Sequence, residues 1–253
     1  MELMGKHALV TGGGTGIGLA IARALADAGC EVTITGRRKD VLDQAAAGFP
    51  KLHPAVIDVT DEAATRAGIA AAAAARGPIA ICVANAGIAE GKPFAKIDMD
   101  DWRRTMATNL DGVYVTIQAA MATLGKGDWG RMIGMSSIAG LRGLRGAVPY
   151  TASKHAVIGL IRGLSEEYMG SNITFNAVCP GYVDTDIVTR NAAAISDRTG
   201  ISNADATQHM ANANRHKRLL ASEEVANAVL WLCSPASGSI NGQALQIAGG
   251  QVS

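Results

Sequence analysis

The sequence predicts an α/β chain: one domain, 1–253, on a doubly wound parallel sheet with helices on both faces, a three-layer α/β/α sandwich. Three observations lead there. Short apolar runs rich in branched residues alternate with longer segments of helical spacing along the chain. These runs are apolar throughout, as strands covered on both faces are. Glycine is in excess, 30 of 253 residues, or about 12% against roughly 7% in average usage. It shows no Gly-X-Y period, so the excess serves local backbone turns.

In order, strands are expected at 7–11, 31–35, 54–58, 79–84, 131–135, 173–179 and 244–247. Helices are expected at 16–28, 39–47, 61–76, 101–123, 150–169 and 222–233. The alanine run 70–75 belongs to a crossover helix, since alanine is the best helix former. Right-handed crossovers then fix a doubly wound order. The one irregular insertion is 188–219, polar and Asn/Ala-rich, and an insertion that long inside a compact domain reads as a substrate lid.

Composition excludes several classes. Lys+Arg number 23 against 22 Asp+Glu, a net charge of +1, which argues against a nucleic-acid binder held by phosphates. A hydrophobic fraction of 48% excludes global disorder. Cys30, Cys82, Cys179 and Cys233 form no CxxC pair, so they read as buried free thiols rather than metal ligands or a redox motif. No signal-peptide layout or membrane-length apolar run is seen, so the expectation is a soluble cytoplasmic protein without metal, nucleic-acid or membrane partners.

After the first strand comes Thr11-Gly12-Gly13-Gly14-Thr15-Gly16-Ile17-Gly18, leading into a helix. Glycines let the backbone approach a pyrophosphate, and the helix N-terminus offers N–H groups and a positive dipole end. Spacing and context make this a variant of the Rossmann-type dinucleotide fingerprint. The second strand ends in Thr35-Gly36-Arg37-Arg38, with no acid at the turn. A guanidinium suits the 2′-phosphate of NADP, so NADP(H) is the expected cofactor and NAD stays possible.

Tyr150 and Lys154 stand at i,i+4 on one helical face. An ammonium beside a phenol favours the phenolate and lowers its pKa, which suits acid–base work on a carbonyl or alcohol. Ser137, at a strand end, can hold the reacting oxygen.

Together these residues make the whole chain resemble the short-chain dehydrogenase/reductase family. Thr11–Gly18 matches its TGxxxGxG loop, Asp58-Val59 its adenine-contacting pair, and Asn85-Ala86-Gly87 its NAG segment. Asn109, Ser137, Tyr150 and Lys154 match its catalytic tetrad, and Pro180-Gly181-Tyr182-Val183-Asp184-Thr185 its PG…T motif. The resemblance implies Tyr150 as acid/base and Ser137 as polariser of the substrate oxygen. It implies Lys154 as the ribose-binding residue that lowers the Tyr150 pKa, and Asn109 as holder of a relay water. Val183 and Thr185 face the nicotinamide carboxamide, while Gly12, Gly14, Thr15, Gly16, Ile17, Gly18, Arg37, Pro180 and Gly181 complete the cofactor contacts. Two positions depart from the pattern: Ala84 replaces a frequent Asn, and Thr15 replaces the basic residue of many NADP-preferring members.

Other polar features have structural readings. Ser136 is a strand-end residue, and His155 points about 100° away from Lys154 around the helix. Trp102 and Trp231 are core or interface anchors, and Asp98, Asp100 and Asp101 cap a helix.

The expected activity is hydride transfer between NADP(H) and a ketone or secondary alcohol. A non-catalytic cofactor sensor expects a missing tetrad member, yet all four are present. The alternative enzyme is an NAD-dependent dehydrogenase of a free hydrophobic alcohol. The lid's Arg215-His216-Lys217-Arg218, with Arg142 and Arg145, raises a 3-oxoacyl thioester of coenzyme A or a carrier protein as substrate; a free hydrophobic ketone is the other. The resemblance further implies a homotetramer paired through helices 101–123 and 150–169.

Overall fold

The computed structural model describes residues 3–251. The chain runs β1 (His7–Thr11), α1 (Gly16–Asp27), β2 (Glu31–Gly36), α2 (Lys39–Ala46), β3 (Leu52–Val56), α3 (Glu62–Arg76) and β4 (Ile79–Ala84). It continues through α4 (Met99–Met106), α5 (Gly112–Met121), β5 (Gly130–Met135), α6 (Val148–Glu167) and β6 (Ile173–Pro180). Last come α7 (Asp186–Thr199), α8 (Asn203–Ala213), α9 (Ser222–Cys233) and β7 (Ala244–Ile247). The strands form one parallel sheet in the order β3-β2-β1-β4-β5-β6-β7. Strand order therefore reverses between β1 and β4, which opens a crevice at their C-terminal ends.

Every residue of β1, β4 and β5 is buried, because helices cover both faces. Alternation sorts the side chains of β1: Ala8 and Val10 join the core under α1 and α9, with Ile21, Leu25 and Val229. Leu9 joins the opposite core under α3, α5 and α6, with Ile69, Ile117 and Val157. The predicted three-layer architecture is the one observed.

Three stretches depart from the sequence reading for a local reason. β3 ends at Val56, not at residue 58. The Asp58 carboxylate accepts from Thr60 N at 3.0 Å and Thr60 Oγ1 at 2.8 Å, a turn that ends the strand before Asp61 caps α3. Pro54 is tolerated because β3 is an edge strand.

The helix expected over 101–123 is two helices joined by a π segment, Ala107–Asp111. Thr105 and Thr108 donate back to the Asp101 and Arg104 carbonyls at 2.8 and 3.1 Å, and Asn109 is drawn toward Ile88. Such back-bonding loosens the i→i−4 ladder. The start moves to Met99 because Asp98 and Asp101 form a capping box, in line with the capping expected of these acids.

The insertion 188–219 is not irregular. It holds most of α7 and all of α8, split by Gly200 in the left-handed region at φ 76° and restarted by a Ser202 cap. Val188, Ala192, Ala206 and Met210 give the pair a small core of their own. A parallel bridge between Val183 and Leu220 closes its base.

The four cysteines are free and buried. Burial pushes the thiols of Cys30 and Cys179 up to about 11 and that of Cys82 to about 12. Trp102 is half-buried, while Trp231 on α9 is 50% exposed and so is no core anchor within the chain. Among the described residues no helix is long and apolar enough to cross a membrane, and no His/Cys/Asp/Glu cluster is placed to hold a metal.

Candidate active site

The crevice is built from the strand ends outward. Gly12 and Gly16 take positive φ, 64° and 52°, which favours glycine over other residues. A Cβ on Gly18 would lie 2.2 Å from the Gly12 carbonyl oxygen, so this close turn requires the bare residue. Thr11 Oγ1 accepts from the main-chain N–H groups of Asn85 and Ala86, both at 3.0 Å. Asn85 Nδ2 donates to the Thr11 carbonyl at 2.9 Å, so its side chain joins the two strand ends.

A cavity of about 490 Å³ follows from this construction. Gly12, Gly14, Thr15, Gly16, Ile17 and Gly18 line it from the loop. Arg37, Asp58 and Val59 line it from the β2 and β3 ends, Asn85, Ala86 and Gly87 from the β4 end, and Thr185 from the start of α7. The donor set fits a dinucleotide. α1 has neither a side-chain cap nor an acid in its first turn, and its N-terminus abuts this cavity, an arrangement that suits an anion there. Burial works against the Asp58 charge, but the Thr60 hydrogen bonds and the Arg37 guanidinium hold its carboxyl below the ordinary value.

A second cavity, about 330 Å³, adjoins the first, and Ile17 and Thr185 line both. Ser137 and Tyr150 lie on its wall with Pro180, Gly181 and Val183, while Ile195 and Met210 close it from α7 and α8. Ser137, at the end of β5, turns the chain through Ala139 N, which donates to its Oγ at 3.1 Å. Lys154 lines neither cavity and is 4% exposed. Its Nζ donates to the Met135 carbonyl at 2.8 Å and stands 5.7 Å from the Tyr150 ring centroid. A Cβ on Gly87 would come within 3.3 Å of Asn109 Oδ1 and 3.5 Å of Lys154 Nζ. The fold thus sets Asn109 and Lys154 beside Gly87, and Ser137 and Tyr150 on the wall of the smaller cavity.

The family model for short chain dehydrogenases matches residues 6–196. The chain belongs to that family. It is 36% identical over 251 residues to nodulation protein G of Azospirillum brasilense, covering 97% of each chain. It is 34% identical over 248 residues to acetoacetyl-CoA reductase of Rhizobium meliloti, covering 98% of this chain and 99% of the relative. A crystal structure of actinorhodin polyketide ketoreductase with NADPH superposes with a TM-score of 0.93 at 32% identity, over 97% of both chains. This short-chain dehydrogenase is accordingly an NAD(P)-dependent oxidoreductase.

Its site departs from the sequence expectation in three respects. Burial raises the Tyr150 phenol above its ordinary value, and a Ser137 hydrogen bond only partly offsets this. Burial likewise pushes Lys154 down to about 8. The lowered phenol pKa expected from the pair is therefore absent in the free protein, because desolvation outweighs an ammonium held by a neutral carbonyl.

Asn109 is fully buried and its side chain is engaged three times. Oδ1 accepts from Ile88 N at 2.8 Å, and Nδ2 donates to Ile88 O at 2.9 Å and Ser153 Oγ at 3.2 Å. The side chain is a clamp on the 85–88 segment.

Of the basic run 215–218, Arg218 gives its guanidinium to Glu224 at 2.6 and 2.9 Å, and none of its residues lines either cavity. Arg142 lines neither; Arg145 lines the smaller one. Ser136 spends its hydroxyl on the Lys154 carbonyl at 2.8 Å, and His155 is exposed and donates through Nδ1 to the Thr151 carbonyl at 2.9 Å.

Sequence reasoning missed Thr108, Asp186 and Arg190 at the larger cavity and Arg198 at the smaller. The i,i+4 spacing of Asp186 and Arg190 was a usable signal, but only for a segment read as helical.

Proposed function

We propose that this short-chain dehydrogenase is an NADP(H)-dependent ketoreductase that interconverts a ketone and a secondary alcohol, with a 3-oxoacyl group as the favoured substrate. The observation that carries the reading is the junction of the two cavities at Ile17 and Thr185, beside the wall that holds Ser137 and Tyr150. Bound nicotinamide supplies the hydride. The protein supplies orientation and a proton.

Ser137 Oγ holds the substrate oxygen, and the Tyr150 hydroxyl delivers the proton that completes the alcohol. A phenol whose pKa desolvation raises, and which is protonated at neutral pH, suits that donation. The Lys154 ammonium then stabilises the phenolate left behind and binds the nicotinamide ribose. Val183 and Thr185 orient the carboxamide. With the Asn109 side chain spent on Ile88 and Ser153, its contact with a relay water falls to its main-chain carbonyl within the π segment.

Arg37 receives the 2′-phosphate of NADP, supported by the absence of an acid in the Thr35–Arg38 turn and by the solved ketoreductase with NADPH. Thr15, which is not basic, favours the second reading, an NAD-dependent dehydrogenase of a free hydrophobic alcohol. The 3-oxoacyl assignment draws on similarity to acetoacetyl-CoA reductase and to the 3-oxoacyl-[acyl-carrier-protein] reductase of Aquifex aeolicus, at 34% and 33% identity. The segment 188–219 serves as the substrate lid.

Assembly as a homotetramer is supported by large apolar side chains left exposed, Tyr114 on α5 and Trp231 on α9. Buried free thiols suit the reducing cytoplasm.

Initial rates with NADPH and with NADH, against simple ketones and 3-oxoacyl thioesters, test the reading. Faster turnover with NADPH and a 3-oxoacyl thioester supports it. Faster turnover with NADH and a hydrophobic alcohol moves the assignment to the second reading. Light scattering that returned a monomer mass at micromolar concentration would remove the tetramer.

A further inference from the structure

The smaller cavity is apolar inside and basic at its mouth. Apart from Tyr150 and Tyr182, the ionisable residues on its wall are Glu90, Arg145, Arg198 and His209. Glu90 is already neutralised by Arg104 at 2.6 Å. Arg145 and Arg198, by contrast, make no side-chain hydrogen bond or ion pair among the described residues. Two unpaired guanidiniums beside one neutralised carboxylate leave the mouth positive.

Their placement gives that charge a direction. Ser137 is buried and Tyr150 half-buried, whereas Arg145 and Arg198 are exposed, so the cations stand at the solvent end of the pocket. Arg145 sits in the loop before α6, whose Gly146 carbonyl accepts from Lys92 N at 2.8 Å and so joins the opposite rim. Arg198 lies in the last turn of α7. A cation in a last turn also complements the helix dipole; lining the pocket is what gives Arg198 a second role. The volume, about 330 Å³, is at the small end of the roughly 300–1,000 Å³ of ligand pockets. It takes a short acyl or cyclic ketone, not a nucleotide.

We infer that the substrate carries an anionic oxygen group remote from its carbonyl, and that Arg145 and Arg198 together bind this group at the pocket mouth. Guanidinium is the side chain best matched to a planar carboxylate or a phosphate. An anion held by both residues links α7 to the body of the protein, closing the pocket over Ser137 and Tyr150. The inference rests on the ketoreductase reading and sharpens it. The anion is either the substrate's own carboxylate or a phosphate of a coenzyme A or carrier arm.

Two probe pairs separate the sources. The first is 5-oxohexanoate and its methyl ester; the second is acetoacetyl-CoA and the neutral acetoacetyl N-acetylcysteamine thioester. In each pair the reacting ketone is the same; the anion is lost with a methyl ester in the first and with the pantoyl–nucleotide arm in the second, so the arginine variants decide whether a preference is due to charge. At low ionic strength the wild type should prefer the anionic member of one pair by tenfold or more in kcat/KM, and the pair that responds identifies the source. In the double variant Arg145→Gln, Arg198→Gln that ratio should fall to within about threefold of unity, while Arg145→Lys, Arg198→Lys retains part of it. Circular dichroism confirms that each variant is folded. Wild-type ratios near unity in both pairs, or a preference that survives the Gln double variant, would overturn the inference and leave the reductase reading standing. Failure of the wild type to reduce any of the four ketones with either nicotinamide would sink the reductase reading itself, and the inference with it.

Discussion

The Lys154 ammonium donates to the Met135 carbonyl at 2.8 Å and lies 5.7 Å from the centroid of the Tyr150 ring. Phenol and ammonium are thus neighbours without being an ion pair. Burial keeps Tyr150 protonated and makes the charge on Lys154 costly. A proton donor held in its neutral form, next to a cation ready to stabilise the phenolate, suits delivery of a proton to a carbonyl oxygen.

Tyr150→Phe removes that proton and little else. Turnover should fall by roughly 10²–10⁴-fold, the usual contribution of general acid–base catalysis, while the dissociation constant for NADPH changes little. Rates by NADPH absorbance and affinity by fluorescence titration check both halves. A Phe variant that retained half the wild-type rate would remove Tyr150 from the mechanism.

Lys154 links the site to stability. Its folded pKa of about 8 lies below the roughly 10.4 of an unfolded lysine. Between those values the unfolded chain holds a proton that the folded protein has released, so stability from this residue rises with pH there. Below about 8 the folded state carries the full cost of a buried charge. Lys154→Met should therefore raise the melting temperature at pH 7 by about 2–6 °C, after roughly 1 kcal/mol for the lost hydrogen bond to Met135. The gain should shrink toward pH 10, and turnover should collapse. A Met variant that melted below wild type at pH 7 would show that the buried charge is not a net cost.

What the sequence revealed and what it hid have physical causes. Strands such as Ile79–Ala84 are apolar on both faces because helices cover both, so their place between helices is visible without coordinates. Tyr150 and Lys154 stand four residues apart and the glycine loop is one continuous run, so each of these two signals is local in sequence. Asn109 was legible as a residue but not as a clamp, since its partner Ile88 lies 21 residues away and the π break depends on that contact. α7 and α8 were hidden because their small apolar face is spread thinly over Val188, Ala192, Ala206 and Met210. Arg190 and Arg198 had no assignable face as a result. The phenol pKa was misjudged because sequence spacing reports a neighbour's charge but not its burial.

Arg37 and Asp58 both line the larger cavity, and the Arg37 charge helps hold the Asp58 carboxyl below its ordinary value. Arg37→Asp replaces a phosphate partner with a ribose acceptor that repels phosphate. The ratio of kcat/KM for NADPH over NADH should drop by roughly 10–100-fold, the scale of one charge-assisted hydrogen bond. A wild type that already used NADH better would sink the NADP assignment before any variant was made.

Gly18 and Gly143 make a matched pair. A Cβ on Gly18 would sit 2.2 Å from Gly12 O and 2.5 Å from Asn85 Nδ2, whereas one on Gly143 meets nothing within 4 Å. Gly18→Ala must push the phosphate loop away from β4, at about 1–3 kcal/mol of stability, with NADPH affinity weakened tenfold or more. Gly143→Ala should stay within about 0.5 kcal/mol of wild type. Similar melting curves for both variants would mean that the loop can shift freely, contrary to its hydrogen-bonded anchorage at Thr11 and Asn85.

At the opposite end of the sheet, His7 is 2% exposed. Its Nδ1 lies 2.8 Å from the Gly77 carbonyl, which can only accept, so Nδ1 carries the proton. Nε2, 2.8 Å from Thr33 Oγ1, then accepts from that hydroxyl, which in turn accepts from Arg76 Nε at 3.3 Å. A second proton on His7 would turn Nε2 into a donor aimed at Thr33 and place two cations together. Burial, with Arg76 and His53 nearby, lowers the His7 pKa; the Gly77 hydrogen bond and Glu31 pull the other way without prevailing. Below the ordinary histidine value of about 6.5 the unfolded chain takes up a proton that the folded one resists, so stability from His7 falls as pH falls through this range. It is fully present above about 6.5. Melting curves from pH 8 to pH 5 should therefore decline more steeply for wild type than for His7→Gln, which has no proton to gain. Gln is less stable at pH 8 because its amide cannot reproduce both contacts, so the two curves converge toward acid. Parallel curves would mean that another group governs the acid limb and that His7 protonates as readily in the fold as outside it.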